Sequence, residues 1–322
     1  MIVRIALAAV SLFVATPAMA QLVTAPWSEE LSDEARAALA ANDARPPEPG
    51  SIEGRRARAE AIQQEIGQPR LRRYGVQMAE TEIAGVAVRI FTPKGIRADG
   101  PVLLNLHGGG FLVDSGSITE NAAVAALTRY RVVAVRYRLA PEHIFPAAVD
   151  DALAVYRALL AERPARRIGL YGTSAGAILA AQLVARLRAE KLPQPAALGF
   201  FSGSADLMLT GDSMALFLDP GSVKSLVALY AGKRDPADPL MSPGRGRLAG
   251  WPPTLCLTSG RDFLLSATAD FCRALDAAGG PSNLILFDGL PHAFWSYIDA
   301  PETDAAFAAM ARFFRGRMEE TR

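Results

Sequence analysis

The fold is decided by one stretch, Ile168-Gly169-Leu170-Tyr171-Gly172-Thr173-Ser174-Ala175-Gly176-Ala177-Ile178. Its first four residues form a short apolar run typical of a buried strand, and the residues after Gly176 are rich in helix formers. The Gly-x-Ser-x-Gly turn between them predicts a nucleophile elbow, with Ser174 on a sharp and strained strand-to-helix turn. Small residues on both sides of the serine allow strand and helix to approach closely. The alternative is a glycine-rich turn that serves packing alone.

Composition favours one large domain and excludes two classes of partner. The chain has 322 residues, half of them hydrophobic, which suits a single α/β domain with insertions better than two independent domains. Its formal net charge is +1, so no strong overall field attracts nucleic acid or an anionic membrane surface.

The first twenty residues have the pattern of a secretory signal peptide. Arg4 precedes a short apolar run from Ile5 to Ala15, which is followed by Pro17-Ala18-Met19-Ala20, and this pattern predicts cleavage after Ala20. The run is shorter than the ~20 apolar residues that cross a bilayer, so we expect no stable membrane insertion. The prediction is a periplasmic or secreted protein, and the alternative is an uncleaved helix that tethers it to a membrane.

The remaining chain predicts an α/β fold with a helical cap. Residues 21–73 are helical and charged, which suggests an N-terminal cap segment or, alternatively, surface helices. Residues 74–322 begin with a hairpin pattern around Ala84-Gly85 and continue with buried-strand runs that alternate with helical stretches. This order predicts a mostly parallel sheet with helices on both faces. A long interruption at about 206–250 reads as a cap insertion over the active site, or as an ordinary surface insertion.

Position in the chain selects the partners of Ser174. In this fold the acid and then the histidine follow the serine, and His292 alone of the three histidines lies after Ser174. Asp262 follows a predicted strand at Thr254–Thr258 and is the preferred acid, since the roles fall at strand ends. Asp288 is the rival, although it lies only four residues before His292, and Asp270 in mid-helix is a weaker one.

A second motif, His107-Gly108-Gly109-Gly110, ends another buried strand. Glycines let several backbone N–H groups converge on one oxygen, so Gly108, Gly109 and Gly110, with the N–H of Ala175, are predicted to form an oxyanion hole. The glycine spacing matches no phosphate-binding loop, and no histidine, cysteine and carboxylate grouping has metal-ligand spacing. We therefore expect no metal.

Taken together, these motifs resemble the hormone-sensitive-lipase-like family of α/β-hydrolases over about residues 86–314. Three further segments match motifs of this family: Tyr137-Arg138-Leu139-Ala140-Pro141-Glu142-His143, Phe145-Pro146-Ala147-Ala148-Val149-Asp150-Asp151 and His292-Ala293-Phe294. The resemblance implies a cofactor-free carboxylesterase for short and medium acyl chains, with Ser174, Asp262 and His292 as its triad. Thr173, Ala177 and Ala293 depart from frequent family residues, which affects specificity and local packing.

Several finer points stay open at this level. Phe111, Leu112, Phe201 and Phe217 are weak candidates for the substrate pocket. The expected partner is a small-molecule ester, with an amide or lactone, or a catalytically idle ligand-binding protein, as alternatives. The sequence leaves a homodimer open. It also leaves open a disulfide between Cys256 and Cys272, which export would permit.

Overall fold

A computed structural model describes residues 26–208 and 211–318 of the chain. The predicted signal peptide, residues 1–20, lies outside the described residues. The fold class predicted from the sequence is confirmed, because a mostly parallel sheet carries helices on both faces. The division into an N-terminal cap segment, a catalytic domain and a cap insertion stays a prediction.

Eight strands of the described chain form one sheet in the order β1-β2-β4-β3-β5-β6-β7-β8. Strands β1 and β2 form the predicted antiparallel hairpin, and β2 also pairs antiparallel with β4. The other six strands, β4-β3-β5-β6-β7-β8 in their order across the sheet, are all parallel to one another. Their carboxyl ends therefore lie at the same end of the sheet. The strand bounds are β1 Val76–Ile83, β2 Val86–Pro93, β3 Val102–Leu106, β4 Arg131–Val135, β5 Ile168–Thr173, β6 Ala197–Phe201, β7 Thr254–Arg261 and β8 Ser282–Pro291.

Helices cover both faces because the strands present apolar side chains to both. Side chains of α4, α5 and α8 pack on one face, and those of α1, α3 and α9 pack on the other. Neighbouring residues such as Leu103 and Leu104 therefore belong to different cores, as the alternation of a strand requires. The helix bounds are α1 Asp33–Asp43, α2 Ile52–Tyr74, α3 Asn121–Thr128, α4 Ala147–Glu162, α5 Ala175–Ala189, α6 Asp212–Phe217, α7 Pro220–Ala231, α8 Leu265–Ala277 and α9 Pro301–Arg317.

Helix α2 is longer than its sequence suggests. The helical pattern predicts an end near Ile66, yet the helix continues through Gly67 and Pro69 to Tyr74. The reason is tertiary packing: a Cβ on Gly67 would lie 2.4 Å from the side chain of Ile118, so glycine permits this close contact. The fully buried Arg70 then donates hydrogen bonds to Asp299 and to three backbone carbonyls. The buried hydrogen bonds of Arg70 thus fix the last turns of this helix, where apolar contacts would be expected.

The segment at 206–250 contains α6 and α7, which lie next to the carboxyl ends of the parallel strands. Leu226 of α7 comes close to the glycine run, since a Cβ on Gly110 would lie 3.1 Å from its Cδ2. Ser213 of α6 donates a hydrogen bond to the carbonyl of Phe263, two residues before α8 begins. None of the described helices could serve as a membrane span, because none combines sufficient length with a sufficiently apolar sequence.

The two cysteines are both buried and both free. Cys256 lies in β7 and Cys272 in α8, and the thiols influence one another: Cys272 is the largest cause of a raised pKa at Cys256. No disulfide joins them in this structure.

Candidate active site

Ser174 sits at the turn between β5 and α5, in the strained backbone conformation that the motif predicts. Its φ is 58° and its ψ is −125°, a region that non-glycine residues rarely adopt. The flanking glycines allow the turn: a Cβ on Gly172 would lie 2.1 Å from the carbonyl oxygen of Gly176, and one on Gly176 would lie 1.9 Å from that of Leu106. The backbone of Ser174 is held by a hydrogen bond from its N–H to Phe201 O.

Ser174, His292 and Asp262 form one continuous chain of hydrogen bonds. The Ser174 Oγ lies 2.9 Å from His292 Nε2, and His292 Nδ1 lies 2.6 Å from Asp262 Oδ1. An ionised carboxylate can only accept, so Nδ1 carries the proton and Nε2 is left free to accept from the serine hydroxyl. The structure thus brings together three side chains that are 118 and 30 residues apart in sequence.

The surroundings of Asp262 keep its carboxylate ionised and fixed. Burial by itself would raise the pKa of this fully buried carboxyl, but the charge and hydrogen bond of His292 and the Leu264 N–H lower it below its usual range. Thr258 Oγ1 donates to Oδ2 at 2.8 Å, and the N–H of Leu264 donates to Oδ1 at 2.8 Å. The carboxylate therefore has a single orientation toward the imidazole. The ring of Phe263 lies against His292, with centroids 4.1 Å apart, and limits how the imidazole can turn.

The rival acids lie away from the imidazole. Asp288 is exposed within β8, and its carboxylate lies against Gly260. Asp270 points outward from α8 and pairs with Arg273. Of these three carboxylates, Asp262 is the one that contacts His292.

The glycine run lies directly beside the nucleophile. A Cβ on Gly108 would lie 3.3 Å from Ser174 Cβ and 3.0 Å from the carbonyl oxygen of Thr173, so the run approaches the elbow more closely than other residues allow. Gly109 and Gly110 have φ of 111° and 62°, which glycine adopts without strain. All three glycines and Ala175 line the same cavity as Ser174. Their place is that of the predicted oxyanion hole.

The remaining residues of the two sequence motifs support this loop. Burial lowers the pKa of His107, so its ring is neutral, and its Nδ1–H donates to Gly108 O at 2.8 Å. Tyr137 stacks on that ring at 4.1 Å and donates a hydrogen bond to His107 O. The Ala140 N–H donates to Phe111 O. These contacts fix the loop that carries the glycines and place no reactive group in the cavity.

A cavity of about 940 Å³ opens above Ser174. Phe111 and Leu112 line it as predicted from the sequence, and both N-terminal helices and the 206–250 segment contribute to its walls. Its apolar lining beyond the glycine run includes Ile62, Phe111, Leu112, Val113, Ile178, Leu207, Met214, Leu218, Val223, Leu226, Val227, Leu229, Phe263 and Leu264.

Phe201 and Phe217 do not line this cavity, contrary to the prediction from the sequence. Phe201 is fully buried on the opposite face of the sheet, where its ring packs near Tyr171 and Trp295. Its neighbour Phe200 occupies the other face, since successive side chains of a strand alternate. Met214 of α6 and Leu218, the residue directly after this helix, line the cavity, whereas Phe217 does not.

Two features of the site escape prediction from the sequence. Glu120, just before α3, lines the cavity and accepts a hydrogen bond from Thr173 Oγ1. Arg45, Arg55 and Arg58 of the N-terminal segment also line the cavity. None belongs to a recognisable motif, and only the fold brings these residues to the serine.

Over residues 26–208 and 211–318, no group of three or more His, Cys, Asp or Glu side chains could hold a metal ion.

Comparison with known proteins places this geometry in a family. Residues 103–296 match a family described as having the alpha/beta hydrolase fold. An acetyl-hydrolase from Streptomyces hygroscopicus is 33% identical over 284 residues, which span 83% of this chain and 90% of the relative. The chain therefore belongs to the α/β-hydrolase family.

Solved structures narrow the resemblance. The crystal structure of an esterase E25 superposes with a TM-score of 0.80 at 31% identity and covers 92% of this chain and 98% of its own. An esterase from the bacterial hormone-sensitive lipase family superposes with a TM-score of 0.78 at 30% identity, over 88% and 96% of the two chains. The hormone-sensitive-lipase-like family predicted from the sequence motifs is thus confirmed.

Proposed function

We propose that this chain cleaves carboxylic esters of short to medium acyl chain through an acyl-enzyme on Ser174. The broader class stands on the relatives: acetyl-hydrolases and esterases share its fold over most of its length, and the chain is a carboxylic ester hydrolase. The observation that carries the finer proposal is the unbroken chain from Ser174 Oγ through His292 to Asp262, at 2.9 and 2.6 Å.

The geometry supplies each group that acyl transfer requires. Ser174 Oγ attacks the ester carbonyl while His292 Nε2 takes its proton, and Asp262 stabilises the resulting imidazolium. The carbonyl oxygen becomes negative and is met by backbone N–H groups of the glycine run and of Ala175. His292 then returns the proton to the departing alcohol. Water, activated by the same imidazole, releases the acid from Ser174. This route uses no cofactor.

The cavity supports a small-molecule ester of modest chain length. Its volume of about 940 Å³ falls within the range of ordinary ligand pockets, and aliphatic and aromatic side chains dominate its walls. Amides and lactones would use the same groups and are alternative substrates. An idle binding role is less well supported, because all three side chains of the relay are present and connected.

A direct test compares p-nitrophenyl esters of increasing acyl length with the wild type and Ser174→Ala. We expect hydrolysis by the wild type and its loss in the variant, together with covalent labelling of Ser174 by a fluorophosphonate. Ser225→Ala is the matched control, since Ser225 on α7 also lines the cavity but its hydroxyl donates to the Gly221 carbonyl and is not part of the relay. Equal hydrolysis by the wild type and Ser174→Ala would reject the proposal.

Two proposals concern the chain outside the site. Export to the periplasm or medium with cleavage after Ala20 is supported by the N-terminal sequence. N-terminal mass spectrometry of the protein from its native host tests it, and a mature chain that still begins at Met1 would contradict it. The homodimer stays a prediction, which sedimentation of the purified protein can decide.

A further inference from the structure

A buried carboxyl group lies beneath the nucleophile elbow and has no role in the relay described above. Glu120 is the residue immediately before α3, and it is 2% exposed. Its Oε2 accepts a hydrogen bond of 2.9 Å from Oγ1 of Thr173, the residue that leads into Ser174. Glu120 and Thr173 also line the cavity that contains Ser174 and His292.

Glu120 connects the two sides of the site. Its N–H donates to the Gly116 carbonyl at 3.3 Å, in the segment that follows the glycine run. A Cβ on Gly116 would lie 2.9 Å from Glu120 Oε1, so glycine at this position leaves room for the carboxyl group. On the other side, the bond to Thr173 ties the same carboxyl to the elbow. The segment that carries the glycines and the turn that carries the nucleophile are therefore joined through one side chain.

No cation neutralises this carboxyl. Among the described residues, no salt bridge involves Glu120. Arg70 on α2 lowers the pKa of this carboxyl through its charge, but its guanidinium already donates to Asp299 and to three carbonyls. Asp114, in the loop after the glycine run, adds a like charge, and Tyr171 on β5 faces the same carboxyl.

The balance of these effects favours the neutral form. Burial raises the pKa of Glu120 to about 8, and the Thr173 hydrogen bond and Arg70 offset only part of the rise. Asp262, by contrast, has His292 as a hydrogen-bond partner, which helps to keep its pKa below the usual range. The site thus contains one charged carboxylate behind the histidine and one neutral carboxyl behind the serine.

We propose that Glu120 is a positioning residue that supports acyl transfer in its protonated form, and that loss of its proton slows turnover. The inference rests on the proposed ester hydrolysis. A carboxylate at this point would add a buried negative charge to the cavity in which the oxyanion forms during attack. It would also change the hydrogen bond that holds Thr173 and, through it, the strained backbone of Ser174. A neutral carboxyl keeps the bond without the charge.

The test is the pH profile of kcat on p-nitrophenyl butyrate for the wild type and Glu120→Gln. The glutamine oxygen can still accept from Thr173 but cannot ionise. We expect the wild-type kcat to fall about tenfold for each pH unit well above 8, and the variant to stay level up to the pH at which it unfolds. A variant that keeps the wild-type alkaline decline, or a wild type that shows none, would overturn the proposal.

Two changes at Thr173 keep the test decisive if Glu120→Gln folds poorly. Thr173→Val removes the donor that stabilises the ionised carboxyl, so the alkaline decline should move to higher pH. Thr173→Ser keeps the hydroxyl and should restore the wild-type profile. If Glu120 has only a packing role, Thr173→Val loses stability but its alkaline decline in kcat stays at the wild-type pH, which would overturn the proposal. Failure of the ester-hydrolase proposal looks different, because then the wild type has no turnover at any pH.

Discussion

The floor and the roof of the cavity are built by different physical means. The floor consists of strand ends and the loops that follow them: Ser174, His292, Gly108 and Glu120. Its polar groups are buried or half-buried, and hydrogen bonds join Glu120 to Thr173 and Ser174 to His292 and Asp262. The roof consists of the N-terminal segment with α1 and α2 and of the 206–250 segment with α6 and α7. There, large apolar side chains such as Leu229 and Leu216 remain 41% and 45% exposed.

This difference separates the chemistry from the selectivity. A floor residue that shifts by an ångström changes the barrier of the reaction, since the reacting groups must be aligned. A roof residue contacts the acyl chain or the alcohol, where each contact alters binding by about 1 kcal/mol. Floor variants should therefore change kcat by orders of magnitude, and roof variants should change the ranking of substrates.

The largest effect is expected at Asp262. Asp262→Asn keeps the shape of the side chain but favours the wrong imidazole tautomer, so kcat should fall about 10⁴-fold. Steady-state hydrolysis of p-nitrophenyl butyrate measures it. Asp288→Asn is the matched control, because this exposed carboxylate lies away from His292, and it should retain wild-type kcat. A large loss in Asp288→Asn with little in Asp262→Asn would reverse the assignment of the acid.

Gly108→Ala should have the next largest effect. The added Cβ would lie 3.0 Å from Thr173 O and 3.3 Å from Ser174 Cβ, so the glycine run has to move away from the elbow. Loss of one oxyanion donor costs about 10²- to 10³-fold in kcat, and we expect a loss of that order with little change in KM.

The control for Gly108→Ala is Gly316→Ala in α9, where nothing lies within 4 Å of the added methyl group. Its kcat should equal that of the wild type. If Gly108→Ala also retained full kcat, the glycine run would not hold the oxyanion.

The same division decides what could be predicted from the sequence. The positions of β5, the elbow and the glycine run follow from local patterns, because a buried apolar run and a glycine turn specify strand and turn directly. The parallel order of the sheet then requires Asp262 and His292 to share an edge with Ser174. These parts of the floor can therefore be predicted from the sequence alone.

Other features depend on contacts between distant segments. Helix α2 extends past Pro69 because Arg70 finds its partners near residues 119 and 295–299, which its own sequence does not encode. Glu120 lies in no motif, and its environment arises from β5 and α2 together. The prediction for Phe201 is wrong because an apolar strand buried on both faces has no polar residue to show which side each ring occupies.

The pH dependence of the unfolding free energy should reveal the raised pKa of Glu120 without any measurement of activity. Native Glu120 keeps its proton up to about pH 8, whereas the unfolded chain releases it near the ordinary value of 4.5. Between these values the native state binds more protons, so the contribution of this group to the unfolding free energy falls as pH rises. Glu120→Gln lacks this dependence.

Urea unfolding at pH 5 and pH 8.5 tests that expectation. Relative to the wild type, Glu120→Gln should gain on the order of a few kcal/mol between the two pH values. Glu82→Gln, on the exposed part of β1, should show no such gain. An identical pH dependence in the wild type and Glu120→Gln would mean that the carboxyl is already ionised in the native state at pH 5.

The smallest effect, and the one that examines the roof, is expected at Leu226. Its Cδ2 lies over the glycine run, so Leu226→Ala should open space beside the acyl chain while leaving the floor unchanged. Each methylene that gains an apolar contact is worth ~0.8 kcal/mol, or about a fourfold change in relative kcat/KM. The ratio of kcat/KM for octanoate over butyrate should therefore rise by about this factor, with kcat on butyrate nearly constant. Leu216→Ala, in α6 but outside the cavity wall, should leave the ratio unchanged. A fall of kcat on butyrate by two orders of magnitude in Leu226→Ala would show that the roof also positions the reacting groups, and the separation of chemistry from selectivity would then be wrong.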